Sequence, residues 1–259
     1  MTLPLEGQVA LVTGAGNGIG RATAVALARA GADVLVHYRS SQDDAHHTAK
    51  LIEDTGRRAH LLACDLAERR AVAPFAVAAE AQWGGVDILV NNAGLAENAI
   101  DKTTSDADFL DHLDEWDKVM EVDLRAPFEL TARLARAMKA RGRGHVVNIA
   151  SVAGMYALTD APLYSLAKAG LLHFTRQAAL MYAPTVRVNA VAPGWTTTAF
   201  GGGFLQDPEF QRQVSRHIPL KRMGAVDEMA AAVRYLCCDA PYTTGTTLTV
   251  DGGLVTELR

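Results

Sequence analysis

The sequence lacks the features that mark several classes of protein. Its three cysteines, Cys64, Cys237 and Cys238, form an odd count without the spacing of a metal site. The net charge of −4 includes no basic tract, which argues against a nucleic acid partner. The first residues show no basic segment followed by an apolar run, and no apolar stretch is long enough to span a bilayer. We therefore expect a cytoplasmic protein that binds no nucleic acid, membrane or metal.

Hydrophobic residues are abundant, and their pattern predicts the fold class. They make up 49% of the 259 residues, enough for a large core. An α/β domain of this length often does not split, so we predict one domain over residues 1–259. Short apolar runs alternate with longer helical patterns, as in a Rossmann-like, doubly wound parallel sheet of about seven strands with helices on both faces. The predicted strands are Gln8–Thr13, Asp33–His37, Ala59–Ala63, Val86–Val90, His145–Ala150, Val186–Val191 and Thr246–Val250. The predicted helices are Ile19–Ala30, Asp43–Asp54, Glu68–Gln82, Leu113–Arg141, Ala161–Tyr182 and Asp227–Cys238.

Two stretches interrupt this alternation. Leu95–His112 carries four aspartates and is expected to be a solvated loop or a short helix. Trp195–His217 contains three successive glycines and then Phe204, and it is too long for an ordinary connection. The sequence leaves open whether this second stretch is a substrate flap or a plain loop.

A glycine-rich turn follows the first predicted strand. It reads Gly14-x3-Gly18-x-Gly20, which departs from the strict G-x-G-x-x-G pattern. Glycines there allow a tight turn, and the helix that begins near Ile19 directs backbone N–H groups at a pyrophosphate. The alternative is a tight strand–helix turn without a ligand.

The end of the second predicted strand favours NADP over NAD. Tyr38 stands where an NAD site usually has a carboxylate for the ribose, and Arg39 follows it. A guanidinium suits a 2′-phosphate. Asn17 offers no second positive charge, so NAD stays possible. Asp65 is a candidate acceptor for the adenine amino group, or a cap for the helix that follows it.

Tyr164 and Lys168 are the strongest catalytic candidates. Their spacing of four places both side chains on one helix face, and Ser151 lies thirteen residues before Tyr164. A nearby ammonium makes a phenol a stronger acid, so such a tyrosine can exchange a proton with a substrate oxygen. Each motif alone has an ordinary structural explanation, but the combination predicts a redox enzyme.

Together these residues resemble the short-chain dehydrogenase/reductase family, and the resemblance covers nearly the whole chain. The matching elements are Thr13-Gly14-x3-Gly18-Ile19-Gly20, Asp65, Asn91-Asn92-Ala93-Gly94, Ser151, Tyr164-x3-Lys168, Pro193-Gly194 with Thr198, and Asp251-Gly252-Gly253.

The resemblance implies a role for each matching residue. Ser151 would hold the substrate oxygen, Tyr164 would act as general acid and base, and Lys168 would bind the nicotinamide ribose and assist Tyr164. Asn91 would tie neighbouring strands together. The expected cofactor-binding residues are Gly14, Asn17, Gly18, Ile19, Gly20, Arg39, Ser40, Asp65, Leu66, Asn92, Ala93, Gly94, Tyr164, Lys168, Pro193, Gly194, Thr196 and Thr198. The expected substrate pocket contains Met155, Tyr156, Trp195, Phe200 and Phe204.

Asp123 departs from the family pattern. Members of the family usually have an asparagine in the long helix before the catalytic serine, where it helps to hold a water linked to the lysine. An ionised aspartate accepts but cannot donate, and its charge would stabilise the ammonium of Lys168. The alternative is that Asp123 is a solvated helix residue.

The sequence therefore predicts an oxidoreductase that interconverts a ketone and a secondary alcohol with NADP(H). An NAD-linked polyol dehydrogenase is the alternative within this class, and a non-catalytic cofactor-binding regulator is the alternative outside it. The predicted partners are a small ketone or alcohol and further copies of the chain in a homotetramer.

Overall fold

The computed structural model describes residues 2–96, 113–157, 161–200 and 205–257. The seven strands are β1 Val9–Val12, β2 Asp33–Tyr38, β3 Ala59–Ala63, β4 Ile88–Asn91, β5 Gly144–Ile149, β6 Val186–Pro193 and β7 Thr247–Val250. The helices are α1 Gly18–Arg29, α2 Gln42–Glu53, α3 Arg69–Glu80, α4 Leu113–Met120, α5 Ala126–Arg141, α6 Pro162–Tyr182, α7 Pro208–His217, α8 Val226–Cys238 and α9 Leu254–Glu257. A π-helical turn, Glu121–Arg125, joins α4 to α5, and a 3-10 turn, Val152–Gly154, follows β5.

The strands form one parallel sheet in the order β3-β2-β1-β4-β5-β6-β7. The direction of strand order reverses between β1 and β4, which leaves a crevice at their carboxyl ends. This arrangement confirms the predicted doubly wound α/β fold.

Helices cover both faces of the sheet because alternate residues of each strand point in opposite directions. Val9 and Leu11 of β1 pack in the core beneath α3, α5 and α6, whereas Ala10 and Val12 pack in the core beneath α1, α2 and α8. All four side chains are almost fully buried. A strand buried on both faces has no polar side to display, which explains why β1 and most of β4 read as continuous apolar runs, whereas the edge strands β3 and β7 are partly exposed.

The predicted element boundaries agree with the structure to within about two residues, with three differences. The short helix α9, Leu254–Glu257, was not predicted. The predicted helix Leu113–Arg141 is interrupted by the π-helical turn. The predicted long connection Trp195–His217 contains α7, whose first turn is capped by the Asp207 side chain, which accepts from the Glu209 N–H at 3.0 Å. Residues 97–112 and 201–204 lie outside the described part of the chain. The four aspartates and Phe204 fall in these ranges, so the expectations for them stay predictions.

Within the described ranges, no helix combines the length and the hydropathy that crossing a membrane requires. The same ranges contain no cluster of three or more His, Cys, Asp or Glu side chains arranged to hold a metal ion.

Candidate active site

A cavity of about 780 Å³ opens at the carboxyl ends of the strands. Most of the site residues predicted from the sequence line it: Gly14, Asn17, Gly18, Ile19, Gly20, Arg39, Asp65, Leu66, Asn92, Ala93, Gly94, Ser151, Tyr156, Tyr164, Lys168, Pro193, Gly194, Trp195, Thr196, Thr198 and Phe200. Ser40, Met155 and Asp123 do not line it. Elements far apart in sequence thus supply one concave site, as is usual for ligand sites on this type of sheet.

The glycine-rich turn forms one wall of the cavity. Gly14 and Gly18 have φ angles of +62° and +54°, a region that favours glycine. A Cβ on Gly20 would lie 2.2 Å from the Gly14 carbonyl oxygen, so no larger residue fits there. Asn17, which precedes α1, makes no side-chain hydrogen bond to the first turn among the described residues. The backbone N–H groups at the start of α1 are therefore available to a phosphate group.

Arg39 and Asp65 lie at the end of the cavity formed by β2 and β3. Arg39 is exposed and makes no ion pair with any described residue. One oxygen of Asp65, Oδ1, accepts from the Ala67 N–H at 2.9 Å. This bond resembles the predicted capping role, although α3 begins only at Arg69. Asp65 also lines the cavity, so the two interpretations of this residue are compatible.

Lys168 is the buried cation of the site. It is 3% exposed, and its Nζ lies 2.8 Å from Asp123 Oδ1 and donates to the Ile149 carbonyl oxygen at 3.1 Å. Burial lowers the pKa of this lysine, but the Asp123 carboxylate and Tyr164 together outweigh that effect and raise the pKa of Lys168 above its usual value. The Nζ also lies 5.4 Å from the centre of the Tyr164 ring, so a fixed positive charge stands beside the phenol.

Asp123 is fully buried in the π-helical turn, which excludes the alternative of a solvated helix residue. Its Oδ2 accepts from the Leu95 N–H at 2.9 Å, while its Oδ1 pairs with Lys168. A Cβ on Gly94 would lie 2.7 Å from Asp123 Oδ1 and 3.3 Å from Lys168 Nζ. Glycine at position 94 therefore permits the close approach of the chain after β4 to this ion pair.

Ser151 follows β5 in an extended conformation, with φ −164° and ψ 155°. Its Oγ accepts from the Ala153 N–H at 3.1 Å, which orients the hydroxyl and leaves its proton for donation. The serine side chain is nearly buried, and it shares the cavity with Tyr164. The site therefore offers two hydroxyl groups and a buried ammonium along one wall.

Asn91 lies behind this wall at the end of β4. Its Nδ2 donates to Asn148 Oδ1 of β5 at 2.8 Å and to Thr131 Oγ1 of α5 at 3.0 Å. Asn148 in turn donates to Thr175 Oγ1 of α6 at 2.9 Å. This chain of buried hydrogen bonds holds β4 and β5 in place, in agreement with the structural role predicted for Asn91.

The other end of the cavity is mainly apolar. Phe200 packs against Tyr164 with ring centroids 5.8 Å apart, and Trp195 packs edge-on against Phe210 of α7 at 5.4 Å. Tyr156 joins the same apolar cluster. Met155 instead lies outside the cavity, where its sulfur is 3.9 Å from Thr249 Oγ1 of β7.

Comparison with known proteins identifies the family. The family model described as Enoyl-(Acyl carrier protein) reductase matches residues 14–255. A 3-oxoacyl-[acyl-carrier-protein] reductase from Synechocystis sp. is 36% identical over 97% of this chain and 98% of its own length. The cis-4-hydroxycyclohexanecarboxylate dehydrogenase of Sinomonas cyclohexanicum is 36% identical over 95% of this chain and 96% of its own length. The crystal structure of a gluconate 5-dehydrogenase from Burkholderia cenocepacia, in complex with NADP and tartrate, superimposes with a TM-score of 0.85 at 32% identity, covering 97% of this chain and 96% of that one.

The chain belongs to the short-chain dehydrogenase/reductase family. The resemblance predicted from the motifs is thereby confirmed, and the protein is an oxidoreductase of this family. In this short-chain dehydrogenase/reductase, Asp123 is in direct contact with the buried lysine.

Several residues of the cavity lining were not predicted from the sequence, and His37 is the one among them with a buried polar ring. His37 lies in the wall of the cavity, and both of its ring nitrogens contact the backbone. A histidine near the end of an apolar strand was the only available signal, and the residues that it contacts are 23 and 27 positions away.

Proposed function

We propose that this protein interconverts a ketone and a secondary alcohol, with NADP(H) as the cofactor and Tyr164 as the general acid and base. The observation that carries the proposal is the position of Lys168, buried beside both Asp123 and the Tyr164 ring in the cavity that also contains the glycine-rich turn. A purely cofactor-binding regulator could use the ammonium to bind the ribose, but it has no need for a phenol beside that ammonium.

The cavity walls fit a dinucleotide. Gly14, Gly18 and Gly20 allow close approach of a pyrophosphate, and the N-terminus of α1 favours its negative charge. We assign the 2′-phosphate to Arg39, because this exposed guanidinium has no carboxylate partner in the described chain to compete with a phosphate. The remaining assignments, to Asp65, Leu66, Asn92, Ala93, Gly94, Pro193, Gly194, Thr196 and Thr198, agree with their positions in the lining. Ser40 is exposed outside that lining, and its assignment rests on the sequence alone.

The protein supplies orientation and proton transfer, whereas the nicotinamide ring supplies or accepts the hydride. In ketone reduction, Ser151 donates a hydrogen bond to the substrate oxygen and Tyr164 gives that oxygen a proton. In alcohol oxidation, Tyr164 takes the proton back. The ammonium of Lys168 stabilises the ionised phenol between these steps, and a further N–H of Lys168 would bind the nicotinamide ribose.

The substrate end of the site favours a compound with an apolar body. Phe200 packs against Tyr164, and the aromatic residues Tyr156 and Trp195 line the same cavity, so a ring or an alkyl chain would bury its surface there. A relative named for a 3-oxoacyl substrate agrees with an apolar body. The structural neighbour named for gluconate keeps a polyol-type substrate as the second candidate.

A panel of ketones and alcohols, assayed with NADPH, NADH and their oxidised forms, tests the proposal. The panel contains cyclic ketones, 3-oxoacyl thioesters and gluconate. We expect substrate-dependent oxidation of NADPH by at least one ketone, with higher efficiency than NADH. Binding of the dinucleotide without any substrate-dependent change in absorbance would favour the regulator instead.

We also propose that the protein forms a homotetramer through the two long helices and the last strand. Phe128 of α5 and Leu166 of α6 are each 53% exposed, more than is usual for large apolar side chains. Light scattering coupled to size-exclusion chromatography measures the mass directly.

A further inference from the structure

His37 is a buried polar residue that the proposed chemistry does not use. It lies near the end of β2 and is 2% exposed, and its ring packs edge-on against Phe75 of α3 at 5.0 Å between centroids. A buried imidazole is costly unless both of its nitrogens have partners.

Both ring nitrogens of His37 are bonded to the backbone of neighbouring elements. The Gly14 N–H donates to Nδ1 at 2.9 Å, and Nε2 lies 3.0 Å from the Cys64 carbonyl oxygen. Because Nδ1 accepts, the proton of the neutral ring must be on Nε2, which donates to Cys64. The His37 carbonyl oxygen also accepts from the Ala15 N–H at 2.9 Å. One residue thus links the turn after β1 to the end of β3.

These hydrogen bonds lie at cavity walls that would contact a dinucleotide, so small displacements of the backbone there would change how tightly it binds. Gly14 is confined, since even a Cβ there would lie 3.0 Å from the Ala93 Cα. Cys64 directly precedes Asp65 and Leu66, which line the cavity at its adenosine end. Fixing Gly14 and Cys64 relative to each other therefore sets the distance between the pyrophosphate wall and the adenine wall.

We propose that His37 is a positioning residue that holds the glycine-rich turn against the end of β3 and thereby sets the affinity for the adenosine half of the cofactor. This inference rests on the proposed function, because it takes the ligand to be a dinucleotide. The neutral ring that the geometry requires is present at neutral pH, since burial lowers the pKa of His37 to about 4. Two groups oppose this shift by favouring the imidazolium: the Cys64 carbonyl oxygen, which accepts from the ring, and the Asp65 carboxylate. The thiol of Cys64 is uncharged at neutral pH, since burial raises its pKa to about 11.

Two substitutions test this role. His37→Phe keeps an aromatic ring against Phe75 but removes both hydrogen bonds. His37→Asn keeps an acceptor at the position of Nδ1 and loses the bond to Cys64. His60→Phe is the matched control, because His60 is an exposed residue on the adjacent strand β3, away from the cavity. The ligands are NADPH and adenosine 2′,5′-bisphosphate, which carries only the adenosine end.

We expect His37→Phe to weaken both ligands by about ten- to a hundredfold, with kcat at saturating cofactor within about threefold of wild type. His37→Asn should recover part of the affinity, and His60→Phe should bind as the wild type does. If His37 had only a structural role, the phenylalanine substitution would lower kcat and thermal stability together with affinity. Asparagine would then not restore binding.

Other outcomes overturn the inference. Unchanged affinity in a folded His37→Phe variant would do so, as would loss of kcat at unchanged affinity. If His37→Phe does not fold, the affinity of His37→Asn tests the proposal instead. Wild-type affinity in that variant would contradict it, because the bond to Cys64 would then have no effect on binding. Failure of wild-type protein to bind either ligand would instead overturn the proposed function, and the role of His37 in binding with it.

Discussion

Replacing Asp123 with asparagine removes the charge that opposes ionisation of Tyr164. The carboxylate lies 2.8 Å from Lys168 Nζ, which lies 5.4 Å from the Tyr164 ring centre, so the carboxylate is within about 8 Å of the ring. Two unit charges about 8 Å apart interact by about 0.5 kcal/mol in water and by about 2 kcal/mol at an effective dielectric constant of about 20. At about 1.4 kcal/mol per pKa unit, this energy corresponds to about 0.4 to 1.5 pKa units.

The charges determine the direction in which the pKa of Tyr164 should shift. A negative carboxylate near the phenol disfavours the phenolate, so Asp123→Asn should make the tyrosine ionise at lower pH. In alcohol oxidation, kcat/KM rises with pH as the base of the free enzyme loses its proton. The rising limb should therefore move to lower pH by about 0.4 to 1.5 units, at saturating cofactor.

Asp117→Asn is the matched control, because Asp117 is exposed on α4 and the substitution changes the net charge equally. It should leave the limb in place. A shift of the Asp123→Asn limb to higher pH would contradict the electrostatic reasoning. An unchanged profile at unchanged rate would show that Asp123 has no effect on the base despite its contact with Lys168.

Two further predictions concern the cofactor and the stability of the fold. Arg39→Asp should lower the ratio of NADP to NAD efficiency by about one to two decades, because a charge-assisted pair is worth about 1.5–3 kcal/mol; an unchanged ratio would mean that another residue reads the 2′-phosphate. Burial lowers the folded-state pKa of His37 to about 4, below the unfolded value of 6.5, so the unfolded chain binds more protons between these pH values. His37 should therefore raise the free energy of unfolding by up to about 3 kcal/mol as pH increases from 4 to 6.5. This contribution should be lost again when the pH is lowered. Urea denaturation across this range measures the slope, which His37→Asn should reduce; an equal slope in that variant would contradict the assignment.

The middle of the sheet was predictable because its strands are buried on both faces, whereas the edge strands β3 and β7 are partly exposed. Val9–Val12 and Ile88–Asn91 have no exposed side, so each appears in the sequence as an unbroken apolar run with a polar or small residue after it. Helix α7 could also have been predicted from the sequence. Asp207 followed by Pro208 and Glu209 is a typical helix start, but the length of the surrounding connection suggested a loop.

The contacts within the site were less predictable because they depend on the close approach of distant segments. Asp123 was correctly expected near Lys168, but its direct contact with the ammonium depends on the π-helical turn, for which the sequence offers no signal. The two bonds of His37 depend on the strand order, which brings Gly14 and Cys64 to either side of β2. Hydrophobic periodicity reports burial, but it does not report the partner of a buried polar atom.

Tyr164→Phe tests the central claim most directly, since phenylalanine keeps the ring that packs against Phe200 and removes only the hydroxyl. Turnover of the best substrate of the panel and the dissociation constant for NADPH are measured on the same preparation. Our account predicts that turnover is abolished while NADPH binding stays nearly as in the wild type. Turnover within tenfold of the wild type would show that another group transfers the proton.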